Sequence, residues 1–257
     1  MTSYQSVTSM AELKSAPRSD GELELRRRLA AAYRIFDYFG WTSLIYGHIT
    51  VRVPGPERHF LINPFGLRYD EVTASSLVKI DLDGRIVEPS NYPVNPAGFI
   101  IHSTVHAARE DAHCVMHAHT QAGMTIAATR DGLQLLDFAG AGLYERVAYH
   151  DFAGVHADDS DRENLVRSLG GKNMMIMRNH GLLSCAPTIA SAFMRFYALE
   201  TACKVQSAAL SLGVPLQQVK TEVAAAHAAT LEKGENGELA FAAYYRLMEK
   251  RDPSFLE

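Results

Sequence analysis

Apolar residues at Leu23, Leu25, Leu29, Ala32, Tyr33, Ile35, Phe36 and Phe39 recur at helical spacing, which predicts a helix from Glu22 that Gly40 stops. Before it, residues 1–20 are polar and aperiodic and read as a flexible tail. Three short β-type runs follow: ITVRV at 49–53, HFLIN at 59–63 and SLVKIDL at 76–82. PGP, NPFG and DLDGR break them, and Asp83-Gly84 is a hairpin-turn signal. Residues 98–109 read as a helix, HCVMH (113–117) as a buried strand, and 120–130 as a helix. Residues 145–149, MMIMR (174–178) and GLLSC (181–185) read as strands. Pro187 opens a long helix to about Leu212, Pro215 opens another to about Lys233, and 238–251 reads as a last short helix. Interleaved strands and helices, with no repeat and no break in composition, predict one mixed α/β unit over residues 21–257, helical from about 213 onwards.

Composition narrows the function classes. A 257-residue chain that is 47% hydrophobic can bury roughly 70–75% of its extended surface and needs no disulfide staple. Its 25 basic and 29 acidic residues give a net charge of −4, which argues against a nucleic-acid partner. Cys114, Cys185 and Cys203 cannot all pair and none lies in a CxxC, so reduced thiols in a cytoplasmic protein are expected. Neither a secretory leader nor an 18-residue apolar run is visible, so no membrane partner is expected. GxGxxG and P-loop motifs are absent, which removes support for dinucleotide or ATP binding. Histidine stands out: there are 11, and six of them (His102, His106, His113, His117, His119 and His150) fall within 49 residues.

His117-Ala118-His119 ends an apolar strand, where side chains at i and i+2 share a face and two imidazoles can converge. A second apolar strand ends in Arg178-Asn179-His180-Gly181. Three histidines at two strand ends suit Zn²⁺, Mn²⁺ or Fe²⁺, while buried histidines that simply satisfy backbone groups fit the same spacing. His102 and His106, four apart on a helix, share a face and could shuttle protons or pack in the core. Tyr149-His150-Asp151 could add a polar cluster nearby.

Together these segments resemble the class II aldolase/adducin family from about residue 25 to 212. The carriers are YGHITVR (46–52), LINPFGLRYDEVTASSLVKIDLDG (61–84), NPAGFIIHSTVHAAR (95–109), VMHAHT (115–120), VAYHDFAG (147–154) and RNHGLLS (178–184). The resemblance implies an α/β/α layered fold around a mainly antiparallel sheet, a divalent metal on His117, His119 and His180, and a homotetramer. The chain also departs from that family. Where its sugar-phosphate aldolases carry Ser-Ser-acid, this chain has Pro96, Ala97 and Gly98, and the phosphate loop Gly-Asn-x-Ser becomes Gly47-His48-Ile49-Thr50. A phosphorylated substrate is therefore not expected, and the wording matches the adducin-like bacterial branch.

These residues imply a metal-dependent lyase, cleaving or decarboxylating a small non-phosphorylated hydroxy or oxo acid. His102 is the first candidate for moving the proton, with His106, His48 and Tyr149 behind it. Arg68 or Arg178 could hold a carboxylate, with structural ion pairing the simpler role for each. An iron oxygenase on the same three histidines and a noncatalytic adducin-like interaction domain are the competing readings.

Overall fold

A computed structural model describes residues 18–154, 159–234 and 237–257. Most of the expected tail, and His156, lie outside the described residues.

The first helix, α1 (Asp20–Tyr38), starts where the Ser19 side chain accepts from the Glu22 amide at 3.2 Å, with Asp20 and Glu22 in the first turn. It ends as its pattern predicts. Gly40 sits at φ +69°, its amide donates to Asp37 O, and the Trp41 amide reaches back to Phe36 O at 2.8 Å. The Trp41 and Phe36 rings then meet edge to face, 5.0 Å apart. Arg26 of α1 is fully buried. It bonds Glu22 at 3.0 Å, Glu88, and the Leu77 carbonyl at 2.9 Å, while Lys79 also reaches Glu22 at 2.8 Å. This ionic knot ties α1 to the strand region beside it.

The strands are β1 (His48–Arg52), β2 (Phe60–Ile62), β3 (Val78–Ile80), β4 (Cys114–Ala118), β5 (Val147–His150), β6 (Met174–Met177) and β7 (Gly181–Ala186). They form one sheet in the order β3-β2-β1-β4-β7-β6-β5, antiparallel throughout except for β5 beside β6. The Asp83-Gly84 turn forms with Gly84 at φ +81°, although the pairing beyond it shrinks to a single Ile80–Ile86 bridge.

Period-two alternation divides the sheet into two faces. Ile49, Val51, Cys114, Met116, Ala118, Leu182, Met174, Ile176 and Val147 point into the larger core, which α1, α3 (Gln121–Ala127), α6 (Ile189–Leu210) and α8 (Glu238–Arg251) cover. Val115, Leu183, Cys185, Met175, Met177 and Ala148 point the other way, under α2 (Pro96–Ala108) and α5 (Asp159–Leu169). The result is a three-layered α/β/α sandwich. All three cysteines are free and buried.

Two helices escape the apolar pattern. Alpha4 (Phe138–Gly142) is built on Gly and Ala and starts where Asp137 caps the Gly140 amide at 2.8 Å. Alpha5 buries only Leu165 and Leu169 among many charged neighbours. Helix α7 (Thr221–Gly234) begins later than Pro215 suggests, because the Val219 amide donates to Leu135 O at 2.7 Å and is lost to a helix. Among the described residues, no helix is long and apolar enough to cross a membrane.

Arg26→Ala should remove the buried guanidinium that joins Glu22, Glu88 and the Leu77 carbonyl, leaving Lys79 on Glu22 and Arg18 on Glu88, and cost about 1–3 kcal/mol. The expected reading is a lower urea midpoint with an unchanged m-value; an unmoved midpoint would show that the knot contributes nothing.

Candidate metal centre

The ligand cluster rises from the α2 side of the sheet. His117 sits on β4, opposite His48 of β1 and Leu183 of β7. His119 follows two residues on, just past the strand end, so it keeps the same side. His180 arrives from the β6–β7 turn. There Asn179 takes φ +54°, its amide bonds Ala127 O at 3.1 Å, and the His180 amide bonds Met177 O at 3.0 Å. Gly181 lets this turn close on β4: a Cβ there would meet Ala118 O at 2.7 Å and the His119 ring at 3.1 Å.

One ligand atom from each of His117, His119 and His180 lies within 4.8 Å of the others, and no second such group of His, Cys, Asp or Glu forms among the described residues. His117 Nδ1 faces the Leu182 carbonyl at 2.9 Å. A carbonyl only accepts, so Nδ1 carries the proton and Nε2 is left as a lone pair. That Nε2 stands 3.0 Å from His119 Nε2, a contact closed either by a proton on His119 or by a cation shared between them. Burial, reinforced by the neighbouring imidazoles, pushes His117 well below the ordinary histidine value and His180 down to about 4; burial alone lowers His119. All three are therefore neutral near pH 7, as ligation requires. The donor set fits a divalent ion.

Behind the cluster runs a buried relay. His106 Nδ1 meets Ala112 O at 2.8 Å, so its Nε2 must accept; Thr50 Oγ1 stands 2.7 Å from that Nε2 and 2.7 Å from His102 Nδ1. The Thr50 hydroxyl thus donates to His106 and accepts from His102 Nδ1–H. His102 Nε2 is left as a buried lone pair without a protein partner, and His102 has no exposed surface. Burial lowers His102 far below its ordinary value and His106 to about 3. His106 stacks on Phe60 with ring centroids 4.2 Å apart, fully engaged in support.

Tyr149 does not join the site. It lies one residue from His150 on β5 and therefore faces the larger core, where its hydroxyl accepts from the Leu133 amide at 2.9 Å. Arg178 stacks over the Tyr149 ring and donates to the Thr129 and Arg130 carbonyls, and Arg68 pairs twice with exposed Asp70. Both arginines already have partners of their own. The arginine beside the centre is one that the sequence pattern does not single out. Arg162 of α5 lines a small open cleft of about 40 Å³ together with Thr104, His150, Asp161 and the cluster residue His180.

The family model of the Class II Aldolase and Adducin N-terminal domain matches residues 27–207. The chain belongs to the class II aldolase/adducin family. An aldolase II superfamily protein from Pseudomonas syringae is 43% identical, superposes with a TM-score of 0.90, and matches over 93% of this chain and 98% of that one. The L-fuculose 1-phosphate aldolase of Glaciozyma antarctica PI12 is 29% identical, with a TM-score of 0.82 over 97% of this chain and 100% of that one. Rat alpha-adducin is 47% identical over 206 residues, which is 78% of this chain but 28% of that protein. The layered fold read from the sequence is the class II aldolase fold, whose members are typically metal-dependent lyases, and this chain has a histidine cluster that could hold a metal ion.

Thr50→Val should leave His102 Nδ1–H and His106 Nε2 unpaired in the core, at about 1–3 kcal/mol each. Urea denaturation reads that loss, and an unchanged midpoint would remove the relay. The pH dependence has a definite sign. His102 and His106 titrate lower in the folded chain than in the unfolded one, so the unfolded chain takes up protons first as pH falls. Stability of the metal-free chain is then complete above pH ~6.5 and declines below it, by about 2.7 kcal/mol per pH unit from these two groups together. For His106 the decline continues to about pH 3. In His106→Gln the decline should be shallower; an identical slope would show that His106 is not buried neutral.

Proposed function

We propose that this chain is a divalent-metal lyase that breaks a C–C bond, by retro-aldol cleavage or decarboxylation, in a small non-phosphorylated hydroxy or oxo acid. The observation that carries the reading is the convergence of three neutral imidazoles, one with its lone pair fixed by the Leu182 carbonyl. A divalent ion held by His117, His119 and His180 (Zn, Mn or Fe) supplies a Lewis acid for the substrate oxygens beside the bond that breaks. Pro96, Ala97 and Gly98 carry no hydroxyl or acid, and His48 replaces an amide, so the residues that would grip a sugar phosphate are missing. Arg162, in the cleft beside His180, instead offers a cation to a carboxylate. In this reading His102, with its free Nε2, holds or passes the proton, and His106 fixes its tautomer through Thr50. Assembly as a homotetramer is part of the proposal and is checked by light scattering.

The likeness to alpha-adducin supports a second reading, a noncatalytic interaction domain. Elemental analysis of the purified chain, followed by aerobic and anaerobic incubation with hydroxy and 2-oxo acids, separates the alternatives. Stoichiometric Zn or Mn with anaerobic cleavage is the expected result. Iron with substrate-dependent O₂ uptake would replace the lyase by an oxygenase, and absence of metal would favour the interaction domain. His117→Ala should weaken metal binding by more than the roughly 10–100-fold that loss of a ligand's supporting partner costs. Full retention of metal in that variant, measured by equilibrium dialysis, would refute the ligand assignment.

A further inference from the structure

The wall of the ligand cluster that faces α2 is made by an imidazole from β1, seated where α2 has no side chain. A Cβ on Gly98 would lie 1.6 Å from His48 Nε2, 1.7 Å from Cδ2 and 2.8 Å from Cε1. Non-bonded carbon atoms prefer about 3.5–4.0 Å, so the ring as placed and any side chain at 98 exclude each other. Backbone geometry does not explain the glycine, because Gly98 is absent from the left-handed positions, and helix propensity argues against it. Room for His48 explains it.

His48 is 95% buried, being only 5% exposed, and its ring stacks on ligand-cluster residue His117 with centroids 5.3 Å apart at 26°. On its other side lies His102, at 4.7 Å, whose Nδ1 the Thr50 hydroxyl holds. His48 Nδ1 finds no hydrogen-bond partner, and neither does His102 Nε2 beside it. Two unpartnered buried ring nitrogens beside the triad are hydrogen-bonding capacity that the protein's own described groups leave unused. We propose that Gly98 is a socket that seats His48 against the triad, so that His48 contacts an oxygen of the substrate bound there. His102 then supports His48 from behind. The contact rests on the metal-lyase reading; the socket does not.

The test is a double-substitution cycle of Gly98→Ala and His48→Ala in the full chain, read in two ways. In the first, Co²⁺-loaded protein is titrated with oxalate, a chelating dicarboxylate, and followed by its visible spectrum. Each single variant should bind oxalate at least tenfold more weakly at unchanged Co²⁺ stoichiometry, and Gly98→Ala should add no further loss once His48 is alanine. Unchanged oxalate affinity in His48→Ala, or losses that simply add, would overturn the contact. In the second, the metal-free variants are melted. Gly98→Ala should lower Tm in the wild-type background and leave it equal or higher in His48→Ala, where the socket is empty. An equal drop in both backgrounds would overturn the socket. Failure of the wild-type chain to bind Co²⁺ would overturn the metal reading and the contact together, while the melting cycle still decides the socket.

Discussion

The site depends on keeping imidazoles neutral by burying them. His48, His102, His106 and His117 are all at most 5% exposed, and desolvation is the largest influence lowering each of them. Nearby cationic groups push the same way as the low dielectric: other imidazoles of the cluster for His48, His102 and His117, and Arg52, His113 and Arg58 for His106. Neutrality then turns every hydrogen bond into a directional constraint. The Leu182 and Ala112 carbonyls each claim one proton, and those two claims fix which nitrogens are left as lone pairs.

That constraint can operate because the sheet sorts side chains by parity. On β1 and β4, residues one apart go to opposite layers: Ile49, Val51, Met116 and Ala118 into oil, His48, Thr50 and His117 towards α2. The same parity removes Tyr149 while leaving His150 on the cleft side. A one-residue register slip between β1 and β4 would invert the whole arrangement, which is why the apolar face of these strands specifies the site as much as the core. The β6–β7 turn adds the third imidazole of the cluster through a left-handed Asn179 and a Gly181 that admits close approach.

Within its family the chain departs from the sugar-phosphate pattern at positions 48 and 98, far apart in sequence. In the structure the two departures are one steric pair, since the imidazole at 48 stands in the space a side chain at 98 would take.

By itself the sequence determined the main helices and strands and the same-sided H-x-H pair, because these follow from local periodicity and strand parity, while His180 joined the pair through the family resemblance. It also determined the family, because the ordered segments from YGHITVR to RNHGLLS span most of the chain. Alpha5 was not legible, since a helix that buries two leucines leaves too faint a stripe, and with α5 went Arg162. Only the tertiary structure decided which histidines face one another, that Tyr149 points into oil, and that Gly98 makes room for His48. These are relations between elements far apart in sequence, 69 residues for His48 and His117, set by pairing register and layer packing, and no local pattern of apolar and polar residues encodes the distance between two such side chains.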